Sequence, residues 1–235
     1  NWGVVDLNLV PKEAVITIAQ LNKYCANAEY LGRFAIDESS YVYVYNKLGK
    51  LFAVMWAKSD DGTATFEYTL KPCESAEDMY GNPIEGDTIP VGADMVYLNG
   101  ISDDYAAKAV SEKTYEAFDR LLTVAEGNFD TAYLNELRGS ITAENCTSAA
   151  GVKTHIDKIY AYGDRLIEEY KANPDAVALD RLTALLSDLY YISLRLVNTY
   201  TYFGGTAEKS DANIEKTEAK IAEIKGDEPQ SSLLY

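Results

Sequence analysis

The spacing of hydrophobic and polar positions changes near Gly100. Before it, β-branched and aromatic residues lie in short runs between turn-forming residues, which is typical of antiparallel strands. After it, Ala, Leu, Glu and Lys recur at the spacing of amphipathic helices. The sequence therefore predicts an α+β protein, in which an antiparallel β-meander over residues 1–100 packs against an antiparallel helical bundle over residues 101–235. The two regions form either separate domains or one continuous domain.

Runs rich in β-branched and aromatic residues mark the strands of the first region. These runs lie at residues 2–10, 29–36, 40–46, 50–58 and 63–70, and residues 88–98 contain two further short strands that Gly92 interrupts. The segment Ser59-Asp60-Asp61-Gly62 is a strong turn signal. We therefore expect the run at 50–58 to pair with the run at 63–70.

The segment at 14–21 fits two structures. Its apolar residues have helical spacing, whereas its β-branched content is typical of a strand. Pro11 precedes it, and proline is tolerated at the first position of a helix. We favour a helix that runs to about Ala26.

The second region has the periodicity of a helical bundle. A short helix capped by Ser102 either ends before, or continues into, the helix predicted at residues 111–126. The other predicted helices lie at residues 130–138, 148–172, 176–202 and 210–226. The strongest signal is at 176–202, where leucine and isoleucine recur on one face. Gly204 and Gly205 end this helix. The short connections predict antiparallel neighbours.

The stretch Ser40–Asn46 reads SYVYVYN and alternates tyrosine with valine. In a strand, the tyrosines point to one face and the valines to the other. Pairing with the run at 50–58 decides which face is buried, because a shift of one residue exchanges the two faces.

Two alternative loops could connect these two strands. A three-residue loop, Lys47-Leu48-Gly49, places the tyrosines on an uncharged core face with Leu51, Ala53 and Met55. A two-residue loop, Leu48-Gly49, instead places them beside Phe52, Val54 and Trp56, in an aromatic platform suited to sugars or a protein partner. We favour the three-residue loop, because leucine is a poor first residue of a type I′ turn. The candidate ligand-binding residues of the platform are Tyr41, Tyr43, Tyr45 and Trp56.

The chain is strongly acidic, with a formal net charge of -16 over its 235 residues. Such a surface repels phosphate backbones and anionic headgroups, so we expect no nucleic-acid partner. No apolar run approaches the roughly 20 residues that a spanning helix needs, so we expect no membrane insertion. The 19 tyrosines point instead to protein interfaces, where tyrosine is enriched.

Known catalytic arrangements are missing from the sequence. Its single histidine, His155, cannot make a multi-histidine metal site, and we expect it to be structural. No nucleophile elbow, phosphate-binding glycine loop or Cys-x-x-Cys pair is present. We therefore predict no catalytic residue, no metal and no cofactor. Paired carboxylates remain available, because the chain has 37 acidic residues.

Two features favour an extracellular or cell-surface protein, with the cytoplasm as the alternative, whereas the cysteines do not fix the compartment. The chain begins at Asn1, as a mature protein would after loss of a signal peptide, although any other shortening of the N-terminus gives the same start. The tripeptide beginning at Asn145 is a candidate glycosylation acceptor. Three cysteines allow at most one internal disulfide, and buried inert thiols are the simpler interpretation.

These observations rank three functions. The first is a non-catalytic secreted or surface protein that assembles with copies of itself or binds another protein. The second is an extracellular ligand-binding or sensor module that uses the aromatic platform. The third is a hydrolase that uses two carboxylates across a cleft.

Overall fold

The computed structural model describes residues 4–6, 8–58, 66–69, 73–86, 88–174, 176–206, 219–220 and 222–223. It confirms the α+β class, with a six-stranded antiparallel sheet in the N-terminal half and the long helices in the C-terminal half. The chain forms two compact units, Asn1–Ala109 and Val110–Tyr235. The predicted turn at 59–62 and most of the predicted helix at 210–226 lie outside the described residues.

The described elements follow one another in this order: α1 (Glu13–Cys25), β1 (Glu29–Ala35), β2 (Ser40–Lys47), β3 (Lys50–Ala57), β4 (Phe66–Thr69), β5 (Ser75–Glu77), β6 (Pro83–Ile84), β7 (Thr88–Val91), β8 (Val96–Asn99), α2 (Asp103–Ala125), α3 (Ala132–Ser140), a 3-10 helix (Glu144–Cys146), α4 (Ala149–Ala172) and α5 (Ala176–Tyr202). Helix α1 and the pair of strands β7 and β8 agree with the sequence predictions, as do α2 to α5. The short strands β5 and β6 were not predicted, because they lie among turn-forming residues.

The predicted strand at 2–10 is wrong for its described residues, which form only an isolated bridge between Val5 and Pro11. The cause is a local turn. The Asp6 carboxylate accepts hydrogen bonds from the backbone N–H groups of Asn8 at 2.8 Å and Val10 at 2.9 Å. Leu9 takes a positive φ of 63° in the same turn. An aspartate side chain that accepts hydrogen bonds from the following backbone N–H groups stabilises a turn, and this turn competes with the hydrogen bonds of a β-sheet.

The six-stranded sheet has the order β1-β2-β3-β8-β5-β6, so the prediction that β3 pairs with the run at 63–70 is wrong. Strand β3 pairs with β8, and β4 pairs with β7 in a separate two-stranded sheet. The reason is burial on both faces. Leu98 and Tyr97 point to opposite faces of β8, and both are fully buried. Such a strand suits the interior of a sheet.

The pairing of β2 with β3 uses the two-residue loop, so the favoured three-residue loop is wrong. Tyr43 faces Val54, and Lys47 faces Lys50. The tyrosines therefore share a face with the side chains of β3 that include Trp56. The valines Val42 and Val44 lie on the other face, and both are fully buried.

The backbone of this turn explains why the sequence favoured the three-residue loop. Leu48 and Gly49 have φ values of 54° and 82°, and positive φ at both central positions is the requirement of a type I′ turn. Leu48 is 93% exposed, so its side chain gains nothing in this turn. A leucine in this backbone region costs about 1–2 kcal/mol. The Asn46 side chain offsets part of that cost, because its oxygen accepts a hydrogen bond from the Gly49 N–H at 3.0 Å.

The core of the first unit lies on one face of the sheet, which we term the core face. Its central side chains are all fully buried: Val42, Val44, Ala53, Met55 and Leu98. The first turns of α2 contact this face, where the Tyr105 and Phe34 rings lie 5.8 Å apart. Burying such side chains contributes about 1.5–3 kcal/mol each, which exceeds the strain at Leu48. The valines therefore decide the register.

The second unit is a bundle of the remainder of α2 with α3, α4 and α5. Its fully buried side chains recur at helical spacing: Phe118, Leu121, Leu134, Val152, Tyr162, Leu166, Leu182, Leu185 and Leu196. Arg165 forms an ion pair with Asp130, which joins α4 to the segment before α3, and a second ion pair with Glu169 within α4. Ser148 caps α4 by accepting a hydrogen bond from the Gly151 N–H at 3.2 Å.

The turn generates a stability prediction. Replacing Leu48 by Asn should raise the free energy of unfolding by about 0.5–1 kcal/mol, since asparagine tolerates positive φ and Leu48 makes no buried contact. Urea unfolding followed by circular dichroism measures the change.

The matched control is Gly49→Ala. A Cβ at Gly49 meets no atom within 4 Å, so any loss of stability there reflects the φ of 82° alone. Destabilisation by Leu48→Asn would contradict the two-residue turn.

Candidate functional site

The face of the sheet opposite the core face carries a row of partly exposed aromatic side chains. We term this row the aromatic face and define it by six residues: Tyr30, Arg33, Tyr41, Tyr43, Tyr45 and Trp56. They come from the neighbouring strands β1, β2 and β3, and each is half-buried. Cross-strand pairing holds them together, because Tyr30 faces Tyr45 and Arg33 faces Tyr43.

Helix α1 covers the neighbouring part of the same face. The Tyr24 ring stacks on the Tyr97 ring with centroids 4.4 Å apart and lies 5.4 Å from the Phe52 ring. Asn99 donates a hydrogen bond from Nδ2 to the Tyr24 hydroxyl at 2.8 Å. Burial raises the pKa of Tyr24 to about 12. This contact forms a second, smaller hydrophobic cluster with Val54.

A polar contact fixes α1 to the sheet beside that cluster. Gln20 and Lys23 donate hydrogen bonds to the Glu77 Oε2 atom at 2.5 and 2.8 Å. Partial burial by itself would raise the pKa of Glu77, but these hydrogen bonds outweigh it and lower the pKa below its ordinary value. Lys47 donates from Nζ to the Lys23 carbonyl at 2.6 Å. The helix end is thereby joined to both β5 and β2.

The rings of the aromatic face are ordered by stacking on one another. The Tyr43 and Trp56 rings are nearly parallel, with an angle of 10° and centroids 4.4 Å apart. Tyr45 stacks on Phe52 at 5.1 Å, which links the row to the cluster under α1. Tyr41 meets Tyr43 edge to face at 6.4 Å. In each stacked pair, one ring covers one face of the other. Such pairs contribute about 0.5–1.5 kcal/mol of stability in addition to the contribution from burying their surface.

Arg33 is the cation of this face. Its guanidinium carbon lies 4.9 Å from the centroid of the Tyr41 ring, within the range of a cation–π contact. Its Nη1 atom donates a hydrogen bond to the Tyr43 hydroxyl at 3.3 Å. The face therefore combines apolar ring surface, phenolic hydroxyl groups and one ordered positive charge.

The structure brings together all four predicted residues, Tyr41, Tyr43, Tyr45 and Trp56, and their role in binding stays a prediction. Sequence reasoning missed Tyr30 and Arg33. A β-bulge between Tyr30 and Gly32 shifts the register of β1, so simple alternation does not place these two side chains on one face. The only indication in the sequence was that a tyrosine and an arginine, two residue types enriched at protein interfaces, lie in a predicted strand.

The candidates for metal binding, thiol chemistry and glycosylation were located in the described part of the chain. No group of three or more His, Cys, Asp or Glu side chains is placed there to hold a metal ion. Cys25, Cys73 and Cys146 are free thiols. Asn145, the glycosylation candidate, is exposed in the 3-10 helix, where its Nδ2 atom donates to the Ser140 carbonyl at 2.7 Å.

His155 lies in α4 and is 3% exposed. Neither ring nitrogen has a hydrogen-bond partner in the part of the chain that the structure describes. Burial lowers the pKa of His155, and the nearby charge of Lys158 lowers it further. The neutral imidazole is therefore the form that the fold accommodates.

No family model, curated protein or solved structure matches the chain. Within the described ranges, no helix has the length and apolar character to cross a membrane. The aromatic face and the chemistry of its residues are therefore the features of the chain that bear on function.

The stacked pair generates a double-mutant prediction. The changes Tyr43→Leu and Trp56→Leu, made singly and together, should show a coupling energy of about 0.5–1.5 kcal/mol in urea unfolding, because each ring stacks on the other. The control cycle pairs Trp56→Leu with Tyr80→Leu. Tyr80 lies in a separate turn, where its N–H bonds to Asp78. Additive changes in the Tyr43 cycle would contradict a stacked pair.

The buried histidine generates a pH prediction. Because the pKa of His155 in the folded chain lies below the ordinary value of 6.5, protonation favours the unfolded chain. This penalty is absent above the ordinary pKa and grows as the pH falls below it. Urea unfolding at about pH 7.5 and about pH 5 should therefore show a smaller acid loss of stability in His155→Phe than in the wild type. An equal loss in both proteins would contradict the lowered pKa.

Proposed function

We propose that this is a non-catalytic protein of the cell surface or extracellular space whose aromatic face binds another protein chain, in assembly with copies of itself or with a different subunit. One observation carries the proposal. The aromatic face gathers half-exposed tyrosines, a tryptophan and an arginine on one rigid sheet surface.

The residue types support a protein partner. Tyrosine, tryptophan and arginine are enriched among the residues that contribute most to protein–protein binding. Such residues bind best when their side chains are ordered beforehand, since less rotamer entropy is lost on association. Stacking of Tyr43 on Trp56 and the contacts of Arg33 with Tyr41 supply that order. The exposed acceptor Asn145 supports the extracellular location.

A ligand-binding or sensor module is the second candidate. The Tyr41 ring lies beside Arg33, which also bonds the Tyr43 hydroxyl. A ring next to hydrogen-bonding groups is what a sugar ligand requires. The geometry favours the protein partner over the sugar, because Tyr43 and Trp56 already cover one ring face of each other.

The carboxylate-dependent hydrolase gains no support from Glu77, the carboxyl group beside the aromatic cluster. A general acid in such an enzyme needs a raised pKa. The pKa of Glu77 is lowered instead, by its hydrogen bonds to Lys23 and Gln20.

The test uses Trp56 as a reporter of the aromatic face. The chain has two tryptophans, so Trp2→Phe leaves Trp56 as the single source of tryptophan emission. We expect that raising the protein concentration increases the mass measured by light scattering. In parallel, acrylamide should quench Trp56 less, because a second copy covers the ring. In Tyr41→Ser, the protein concentration at which both effects appear should be at least about tenfold higher.

The control is Tyr80→Ser, which removes a partly exposed tyrosine outside the aromatic face. It should assemble as the parent does. A monomer at every concentration, with unchanged quenching, would contradict self-assembly. Saturable quenching changes on addition of a monosaccharide or oligosaccharide panel to that monomer would establish the ligand-binding candidate instead.

A further inference from the structure

The turn between β2 and β3 contains two features that lower the stability of the fold. We term this turn the hairpin tip and define it by residues 47–50. Leu48 is 93% exposed at a φ of 54°, so it strains the backbone without burying its side chain. Lys47 and Lys50 lie directly opposite each other on the two strands, and like charges in that position destabilise a sheet. Features of this kind, which cost stability without a gain in the fold, are typical of functional positions.

Hydrogen bonds on both sides hold the backbone of the hairpin tip in place. The Asn46 side chain accepts a hydrogen bond from the Gly49 N–H at 3.0 Å and donates one to Glu29 at 3.1 Å. Lys47 donates from Nζ to the Lys23 carbonyl, at the end of α1, at 2.6 Å. These bonds fix the turn that presents the exposed leucine. Little backbone freedom is therefore lost when a partner covers that leucine.

The charge of the hairpin tip is opposite to that of the chain, which has a formal net charge of -16. Lys50 is exposed and forms no ion pair within the described ranges. Glu29, at the start of β1, offsets only one of the two lysine charges. The partner that fits an exposed leucine between two lysines is an apolar side chain beside carboxylates.

The loop between β1 and β2 offers that combination. We term it the acidic turn and define it by residues 36–39. Asp37 and Glu38 are exposed there, and Ile36 beside them is 36% exposed. Because β1, β2 and β3 are consecutive antiparallel strands, this loop and the hairpin tip lie at opposite ends of the strands. The eight residues of β2, at about 3.4 Å each, hold the two turns roughly 27 Å apart, so one molecule cannot join its own two surfaces.

The acidic turn is ordered and keeps a net negative charge. The Asp37 carboxylate accepts hydrogen bonds from the Ser39 N–H at 2.8 Å and from the Ser39 hydroxyl at 3.0 Å. The bond from the Ser39 backbone, with those of the neighbouring serines, holds the pKa of Asp37 below its ordinary value. Lys58 lies beside the turn, where its backbone N–H donates to the Ser39 carbonyl at 2.5 Å. Its charge offsets one of the two carboxylates.

We propose that the hairpin tip of one molecule binds the acidic turn of a second copy of the chain. Leu48 packs against Ile36, which supplies the burial that the leucine lacks in a single molecule. Lys50 pairs with Glu38, which offsets the repulsion between Lys50 and Lys47. The two surfaces differ, so the contact is head-to-tail and can continue from copy to copy. The contact goes beyond the proposed function, because it uses residues outside the aromatic face.

The first test separates association from stability at the leucine. All proteins carry Tyr41→Ser, which weakens association through the aromatic face, and sedimentation velocity at low salt measures their mass over a range of concentrations. In Leu48→Asn, association should require an at least about tenfold higher protein concentration. The same variant should unfold at a higher urea concentration than the parent, since asparagine tolerates positive φ. A merely structural role of the leucine would not produce these opposite effects.

The matched control is Leu9→Asn. Leu9 is also an exposed leucine at positive φ, with 80% exposure and a φ of 63°, and it lies outside both surfaces. Its replacement should leave the association of the parent unchanged.

The second test exchanges the charges between the two surfaces. Lys50→Glu and Glu38→Lys should each be monomeric at concentrations where the parent associates, because each leaves like charges at the contact. Mixed in equal amounts, the two variants should associate again, because each hairpin tip then meets an oppositely charged turn on the other variant. Lys153→Glu makes the same charge change on α4 and should associate as the parent does.

Four results would overturn the proposal. The first is a parent that stays monomeric at every concentration, and the second is unchanged association in Leu48→Asn. The third is a mixture of the two charge variants that stays monomeric. The fourth is Leu48-dependent sedimentation with vesicles of phosphatidylcholine and phosphatidylserine without association of the protein alone, which would assign the hairpin tip to a membrane surface. Association of the parent does not require the aromatic face, so failure of the proposed function is detected separately by the quenching of Trp56.

Discussion

The register between β2 and β3 is the constraint on which the first unit depends. Because side chains alternate along a strand, this one pairing decides whether tyrosines or valines enter the core. The structure buries Val42 and Val44 completely and accepts a leucine at positive φ in the turn. The free energy of burying branched aliphatic side chains is larger than the backbone strain of one residue, so burial decides.

The aromatic residues and the position of α1 both follow from that register. Once the valines are buried, the tyrosines lie with Phe52 and Trp56 on the opposite face. This face is too apolar to be left bare along its whole length. Helix α1 covers it near Tyr97, with Tyr24 as its anchor and Glu77 as the acceptor of its polar contacts. The remaining rings are ordered by one another rather than by a covering helix.

The fold class and the helices could be predicted from the sequence, because helix periodicity is a local property. The run at 176–202 predicted α5 with its observed bounds, Ala176–Tyr202. Which strands pair with each other could not be predicted in the same way. The pairing of β3 with β8 joins segments that the local pattern cannot connect, and the turn signal at 59–62 favoured the wrong neighbour.

The candidate site was recovered in part for a similar reason. Four of its residues lie in runs whose alternation is plain, and the platform that they form was one of two registers considered. The other two residues lie on both sides of a bulge that no local pattern marks. Choosing between the registers needed the comparative burial of valine and tyrosine, which depends on what covers each face. Turn preference alone gave the wrong answer.

The central place of β8 in the sheet has a consequence for the order of folding. Strands β1, β2 and β3 are joined by short connections, so their pairing closes only small loops. Tyr97 pairs with Val54 from far along the chain, which raises the contact order of the first unit. We therefore expect the three-stranded meander to form early and β8 to dock later. Until then, the edge of β3 is open to pairing with other chains.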